Sequence, residues 1–397
     1  MSYKKLGDYI QQVNNRNRDL QVETLLGVSI TKKLIPSIAN TVGTDMSAYK
    51  IVEKGQFAYG TITSRNGDKI SIALADEYDK ALVSQIYIVF EVIDTNLLLP
   101  EYLMMWFSRP EFDRYARYHS HGSTREAFDW EDLCEVELPI PSIEKQREIV
   151  AQYQAVENKI KVNEQICEQL EATAQTLYKQ WFVDFEFPNE NGEPYKSSGG
   201  IMVFNEELEK EIPEGWEVGK LEDIIYYSDT KIALKNLTTD NYISTESMLP
   251  EKKGVEFISN VPEGNNVTVF EKGDILISNI RPYLKKIWFA NKKGGCSNDV
   301  LCIRSKEIVY QFFALNILFN DQFFDYVMQG AKGTKMPRGD KDWILEYKIL
   351  LPKKEILATF SKDIELVSRV KISKTIQNQK LTQLQSFLLN RLTRLEG

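Results

Sequence analysis

Three clusters of basic residues stand out from a chain whose formal net charge is -8. Arg114, Arg117 and Arg125 share an acid-free stretch with His119 and His121. Arg281, Lys285, Lys286, Lys292 and Lys293 form a second acid-free run, with Tyr283 and Trp288 interleaved. Lys332, Lys335, Arg338 and Lys341 form a third cluster, beside Gly330, Gly333 and Gly339. Lysine and arginine neutralise phosphates, and arginine can also read a guanine bidentately. Glycine lets a loop follow a groove closely. The chemistry these residue types allow is recognition of a nucleic-acid backbone and its base edges. The candidate set is Arg65, Arg114, Arg117, Ser123, Thr124 and Arg125 in the first half of the chain. In the second half it is Arg281, Lys285, Lys286, Lys292, Lys332, Thr334, Lys335 and Arg338. One such cluster alone reads equally well as a solvated face; clusters recurring at equivalent places do not.

Other chemistries lack their residues. The net charge argues mildly against DNA as a partner, but it hides this local asymmetry. Cys134, Cys167, Cys296 and Cys302 make no C-x-x-C pair, so they read as ordinary thiols in a reducing compartment. His119-x-His121 has no third ligand at a useful spacing, so no metal is expected. No Pro-Pro occurs for an amino-methyltransferase motif, and no phosphate-cradling G-x-x-x-x-G-K-[ST] loop is present. Asp76, Glu77, Asp79 and Lys80 could suggest a nuclease, but they sit in an acidic turn of a kind that arises often by chance. No catalytic residues and no cofactor are therefore assigned to this chain. No run of 18 apolar residues and no signal-peptide pattern appears, so a cytoplasmic location is expected.

The elements that must position the basic loops occur twice. Lys5-Leu6-Gly7-Asp8-Tyr9-Ile10 resembles Lys220-Leu221-Glu222-Asp223-Ile224-Ile225, and Val52-Glu53-Lys54-Gly55 resembles Phe270-Glu271-Lys272-Gly273. Arg65 and Arg281 lie downstream of these in the two halves. Gly122-Ser123-Thr124 matches Gly333-Thr334-Lys335, Asp129-Trp130 matches Asp342-Trp343, and Pro141 and Pro352 each introduce a long helical pattern. Six weak matches in one order indicate a duplicated unit.

Each unit ends in a long helix. Ile149, Tyr153, Val156, Ile160, Asn163, Cys167, Leu170, Ala174, Leu177 and Trp181 are spaced alternately by four and three, a coiled-coil seam. Asn163 is the one amide in it, a register-fixing type of residue. The second pattern carries Phe360, Ile364, Val367, Leu381, Leu384, Leu388, Leu392 and Leu395, with Lys371 and Lys374 interrupting it. Residues 367–395 carry Arg369, Lys371, Lys374, Lys380, Arg391 and Arg394 and no acid, whereas the first helix carries six glutamates. Complementary charge and two apolar seams predict an intramolecular antiparallel pair; a homodimerising helix is the alternative.

The remainder reads as mixed α+β. Ile70–Leu74, Gln85–Val92, Val267–Phe270, Asp274–Ser278 and Lys286–Ala290 are expected strands, with helices over Pro100–Arg117 and Ile308–Gln329. The expected organisation is a first target-facing domain at 1–140, a helix at 141–185, a linker at 186–214, a second domain at 215–352 and a final helix at 353–397.

At this point the residues resemble a known family, the type I restriction–modification specificity subunits (HsdS). Leu138-Pro-Ile-Pro-Ser-Ile-Glu-Lys-Gln-Arg-Glu-Ile149 resembles that family's entry into its central helix. Leu177-Tyr-Lys-Gln-Trp-Phe-Val-Asp-Phe-Glu-Phe-Pro188, continuing through Gly192-Glu-Pro-Tyr-Lys-Ser-Ser-Gly-Gly200, resembles its link to a second recognition domain. Ile212-Pro-Glu-Gly-Trp-Glu-Val-Gly-Lys-Leu221 resembles the opening of such a domain. The resemblance covers essentially the whole chain. It implies two target-recognition domains that read a bipartite, asymmetric sequence in double-stranded DNA, held apart by paired helices. It implies two modification subunits carrying S-adenosylmethionine, and restriction subunits using ATP and magnesium. The recognition loops then correspond to the regions of Arg65 and Arg281 and to the loops 122–125 and 333–338. A coiled-coil scaffold or dimeric regulator without DNA readout would explain the helices but not the matched basic loops.

Overall fold

The computed structural model describes residues 3–37, 43–64, 69–122, 126–256 and 260–394. Arg65, Ser123, Thr124, Arg125 and Leu395 lie outside the described residues. The helices are α1 (Pro100–Phe107), α2 (Pro110–Tyr118), α3 (Trp130–Cys134), α4 (Ile143–Phe182), α5 (Gln311–Phe319), α6 (Asp321–Gln329), α7 (Lys341–Leu345) and α8 (Lys354–Arg391). None among the described residues is long and apolar enough to cross a membrane. The chain divides into two units, Met1–Asn163 with Gln377–Gly397, and Glu164–Ile376. The division falls within both long helices, away from the boundaries read at 140, 185, 214 and 352, because each helix segment packs into the core beside it.

In the first unit, Tyr3–Lys5 pairs antiparallel with Glu137–Pro139, and the turn behind it buries Leu6 completely. An antiparallel sheet follows in the order Ile10–Val13, Ile88–Val92, Phe57–Gly60, Ser71–Leu74. Its alternating side chains serve two cores. Phe57, Tyr59, Ile72 and Phe90 face Tyr102, Leu103, Phe107 and Leu133 of α1 and α3. Ala58 and Val89 face Leu26, Val52, Ala81 and Val83. The single helix expected over Pro100–Arg117 is two helices. Pro110 has no N–H to continue the first, and instead occupies the opening turn of the second.

The second unit repeats the plan. Glu217–Lys220 pairs with Lys348–Leu351, and Leu221 is buried behind it like Leu6. Its antiparallel sheet runs Ile225–Tyr227, Val300–Ser305, Ile275–Ser278, Ile287–Phe289. A second sheet of Lys231–Ala233, Asn266–Phe270, Gly294–Cys296 and Tyr242–Ile243 lies in the same unit. The helix expected over Ile308–Gln329 is a short 3-10 turn followed by α5 and α6. Asn320 separates the two helices, its side chain accepting from Gln322 N at 3.0 Å. Residues 186–214, expected as a linker, are folded into this unit. Met202–Asn205 and Lys210–Pro213 form a hairpin, and Phe187 stacks between Tyr195 and Trp216 at 4.5 and 5.3 Å.

The two long helices are paired within each unit. In the first, Val150, Leu389 and Leu392 share a core, with Ile149 and Tyr153 packed against it. Asn163 is fully buried and donates to Gln377 Oε1 and Asn378 Oδ1 at 2.9 and 2.7 Å. In the second, Ala174, Trp181 and Phe182 pack with Leu357, Phe360 and Ile364, flanked by Leu177 and Val367. Val156 is buried; Ile160, Cys167, Leu170, Leu381 and Leu388 are half-buried on the inward faces.

Lys371 and Lys374 do not interrupt the α8 stripe. Inward positions 357, 360, 364, 367, 371, 374, 378, 381, 385, 388 and 392 keep strict three-and-four spacing. Lys371 is held by Glu171 of α4 and lies 5.4 Å from the Phe319 ring, so a charged residue fills a seam position. Leu384 was expected in the core but is 44 % exposed. The step after Leu381 is four residues, to Gln385, which hydrogen-bonds the buried Tyr153 hydroxyl.

Candidate nucleic-acid interface

Two loops far apart in sequence are joined in each unit. In the first, the segment leaving strand Phe57–Gly60 lies against the loop preceding α3. Thr63 N donates to Glu126 O and Phe128 N to Thr61 O, both at 2.9 Å, and Ile62 bridges Ala127. His121 and Ala127 exchange two backbone hydrogen bonds of 2.9 Å, closing the loop, and Gly122 turns it at a φ of 125°. In the second unit, Ile280 bridges Arg338, and Lys332 and Arg338 exchange backbone bonds of 2.9 and 2.8 Å. Arg281 N donates to Pro337 O at 2.8 Å, and Gly333 turns this loop at a φ of 94°. Ile62 and Ile280 are 218 residues apart, as Gly55 and Gly273 are. His121 and Lys332 are 211 residues apart, as Ala127 and Arg338 are.

The same offset corrects one sequence pairing. Asp129 precedes α3 and Asp340 precedes α7, 211 residues on; Leu133 and Ile344 are buried at equivalent places. Asp129-Trp130 therefore corresponds to Asp340-Lys341, and Asp342-Trp343 lies inside α7. Asp340 caps that helix, accepting from Asp342 N at 3.0 Å and Trp343 N at 3.3 Å.

Most of the candidate cations are tied to acids that the linear sequence places elsewhere. Arg117 pairs with Glu126 at 2.9 Å and Arg114 with Glu111 at 3.1 Å. Lys285 and Lys252 share Asp321, at 3.1 and 2.6 Å, which raises the Lys285 pKa and holds the Asp321 carboxyl below its usual range. Lys332 pairs with Asp340, and Arg338 Nη1 lies 2.7 Å from Asp299 Oδ1. Lys286 donates to Thr245 O at 2.7 Å; burial, with Arg281 nearby, pushes its ammonium pKa down. Lys292 donates to Asp240 O and burial lowers its pKa, while Lys293 pairs with Glu271 at 2.7 Å. These last two stand at the second sheet and are not in the joined loops. Arg281, Thr334 and Lys335 are exposed. Among the described residues, neither Arg281 nor Lys335 has an ion-pair partner.

Arg281 and Lys285 both adopt left-handed backbone, at φ of 52° and 50°, flanking the short turn Pro282–Leu284. Non-glycine residues rarely do so, and such strain gathers at functional loops. Two residues beside the loops escaped the sequence reading: Asp299, which holds Arg338, and Asn279, whose backbone joins Asp299 O at 2.8 Å and Gly339 N at 3.1 Å. No local pattern marks either, because their partners lie about 40 to 60 residues downstream or on the next strand.

The family model for the type I restriction modification DNA specificity domain matches residues 31–172. This chain belongs to the type I restriction–modification specificity-subunit family. Two specificity subunits show the extent of the likeness. The MjaIX specificity subunit of Methanocaldococcus jannaschii is 28% identical over 312 residues, which is 73% of this chain and 66% of that relative. The HindI specificity subunit of Haemophilus influenzae is 30% identical over 151 residues, 38% of this chain and 32% of that relative. The matched stretches thus span just under two thirds, and about one third, of those relatives. A crystal structure of a type I restriction–modification S subunit from M. genitalium superposes with a TM-score of 0.55 at 14% identity, covering 99% of this chain and 96% of that one. This specificity subunit shares that mixed α/β fold.

Proposed function

We propose that this chain is the sequence-reading subunit of a type I restriction–modification complex. In this reading each unit carries one target-recognition domain, the two are duplicates, and α4 and α8 form an antiparallel coiled-coil spacer between them. The observation that carries the proposal is the recurrence of the joined loops at matched offsets, each bearing basic side chains. The chain recognises a bipartite, asymmetric site in double-stranded DNA. Two modification subunits bring S-adenosylmethionine and adenine methylation to it, and two restriction subunits bring ATP- and magnesium-dependent translocation and cleavage. Recognition, and no bond-breaking step, is this chain's part, and the work is cytoplasmic.

Mapping methylated adenines across the host genome, with and without this gene, tests the proposal. A split motif is expected with the gene and none without it; an unchanged methylation map would sink the reading. Inserting one heptad into both α4 and α8 is expected to widen the unread gap by about three base pairs. That follows from about 1.5 Å of helix rise per residue against about 3.4 Å per base pair. Both half-sites should be unchanged.

Arg281 and Lys335 are the exposed cations of the joined loops without carboxylate partners, which fits them for phosphates. Arg281→Ala and Lys335→Ala are each expected to weaken binding to all duplexes alike. Each should also flatten the dependence of log affinity on log salt by about one unit. Titration at several salt concentrations checks this, and an unaltered slope would remove the residue from the interface.

A further inference from the structure

We infer that Arg338, held by Asp299, is the guanine-reading residue of the second unit. The inference rests on the DNA-reading role proposed above and assigns it a base and a residue. Arg338 differs from the other cations of the joined loops in how completely its position is fixed. Its backbone N and O are both bonded to Lys332, at 2.9 and 2.8 Å. Its neighbours Pro337 and Gly339 are buried and tied to Arg281 N at 2.8 Å and Asn279 O at 3.1 Å. Asp299, which accepts from Nη1, belongs to the same assembly, because its backbone O accepts from Asn279 N at 2.8 Å.

The guanidinium is anchored without being used up. Its side chain is 56% exposed, and Asp299 occupies one of its nitrogens. Guanidinium carries five N–H donors in a planar fork, so a free edge remains. That edge matches guanine, which offers two acceptors, N7 and O6, in the major groove; adenine offers one acceptor and one donor there. Arg304 shows the contrasting case. Its Nε and Nη2 both go to the buried Asp274, at 2.7 and 2.6 Å, and that fork is consumed inside the protein. Arg281 and Lys335 lack a carboxylate anchor among the described residues, so ordering them costs more and their contacts tolerate any sequence. In the first unit the residue equivalent to Arg338 is Ala127, and the carboxylate-held guanidinium comes instead from Arg117 with Glu126. The two units therefore present their fixed arginines from different elements.

Asp299 is a positioning residue, and its effect must appear as selectivity. The test is enrichment of duplexes from a randomised double-stranded DNA library by the full-length chain and its Arg338→Ala, Arg338→Lys, Asp299→Asn and Lys335→Ala variants. The parent chain is expected to enrich a split motif. Arg338→Ala should lower the preference for guanine at one position of one half-site by roughly ten- to hundredfold, with the other positions intact. Arg338→Lys, which keeps the charge but loses the fork, should lower it at the same position. Asp299→Asn should weaken selectivity there without weakening overall binding, since it removes a negative charge. Lys335→Ala should weaken all sequences alike. Retention of the other half-site's motif shows that each variant is folded. An Arg338→Ala chain that keeps the full motif, or loses affinity uniformly, overturns the inference while leaving DNA reading intact. A parent chain that enriches no sequence overturns the recognition reading itself, and this inference with it.

Discussion

Replacing Asp113 with alanine is expected to destabilise the first unit by about 3–5 kcal/mol, the usual cost of stripping a buried charge of its partner. Lys32 sits at the tip of the turn joining strands Leu26–Val28 and Leu34–Pro36, at a φ of 62°. Its ammonium lies 2.7 Å from Asp113 Oδ1, and the two side chains are only 7% and 13% exposed. It also donates to Phe107 O and lies 5.6 Å from the Phe112 ring. Asp113 in turn accepts from Ile70 N at 3.1 Å. One carboxylate therefore holds the hairpin, α1, α2 and a sheet strand together.

Acidity gives this prediction a second reading. Burial lowers the Lys32 pKa below 10.5, and Asp113 is the group that opposes the shift. Between the folded and unfolded values the unfolded chain holds more protons, so stability rises with pH across that window. Without Asp113 the folded value falls further and the window widens. Urea unfolding at about pH 7 and about pH 9.5 should show Asp113→Ala regaining more stability at the higher pH than the parent chain does. A double Lys32→Met/Asp113→Val variant should recover most of the loss, because a packed apolar pair leaves no charge buried. Superimposable curves for the parent and Asp113→Ala would show that the pair does not hold the hairpin.

Phe182→Ala is expected to cost the second unit about 3–5 kcal/mol, as large-to-small changes in packed cores do. Phe182 is the last residue of α4, where that helix meets α5, α8 and the turn at Trp216. Its ring lies 4.8 Å from both Phe313 and Phe360 and 6.0 Å from Trp216. No flexible neighbour surrounds the space its removal would leave, so little collapse is expected. Hydrogen exchange read peptide by peptide separates the units, which a single melting curve does not. Protection should fall throughout 164–376 and hold in 57–92. An equal loss in both stretches would contradict the placement of Phe182 in the second core alone.

The features that survived translation from sequence to structure were those written locally. The spacing from Ile149 to Trp181 is visible without a partner, because one helix face repeats every three and four residues. The repeat offsets at Leu6 and Leu221, and at Gly55 and Gly273, were equally plain. What escaped was pairing at long range. The acid-free run from Arg281 to Lys293 is acid-free only along the chain; folding brings Asp321 and Glu271 to it. Lys371 looked like a break in a seam because Glu171, which accommodates it, lies 200 residues earlier. Leu384 looked like core because leucine at a spacing of three is the simplest guess, and Gln385 was overlooked because its value depends on the Tyr153 hydroxyl. The Asp-Trp repeat misled for the opposite reason. Two short identical strings fell near each other in the alignment, while the capping role belongs to Asp129 and Asp340.

The first unit is begun early and closed late. Its strands and α1 to α3 are all made before residue 140, yet Leu389 and Leu392, which cover Val150, come from the far end of α8. During synthesis the second unit has every one of its residues once Ile376 has been added, while the first still waits for its cover. A ribosome that stalls near that point would leave a nascent chain with one finished body. The other would still expose the bare apolar flank at Ile149, Val150 and Tyr153. Quality-control machinery that binds such flanks would then discriminate against prematurely ended products through the half of the protein made first.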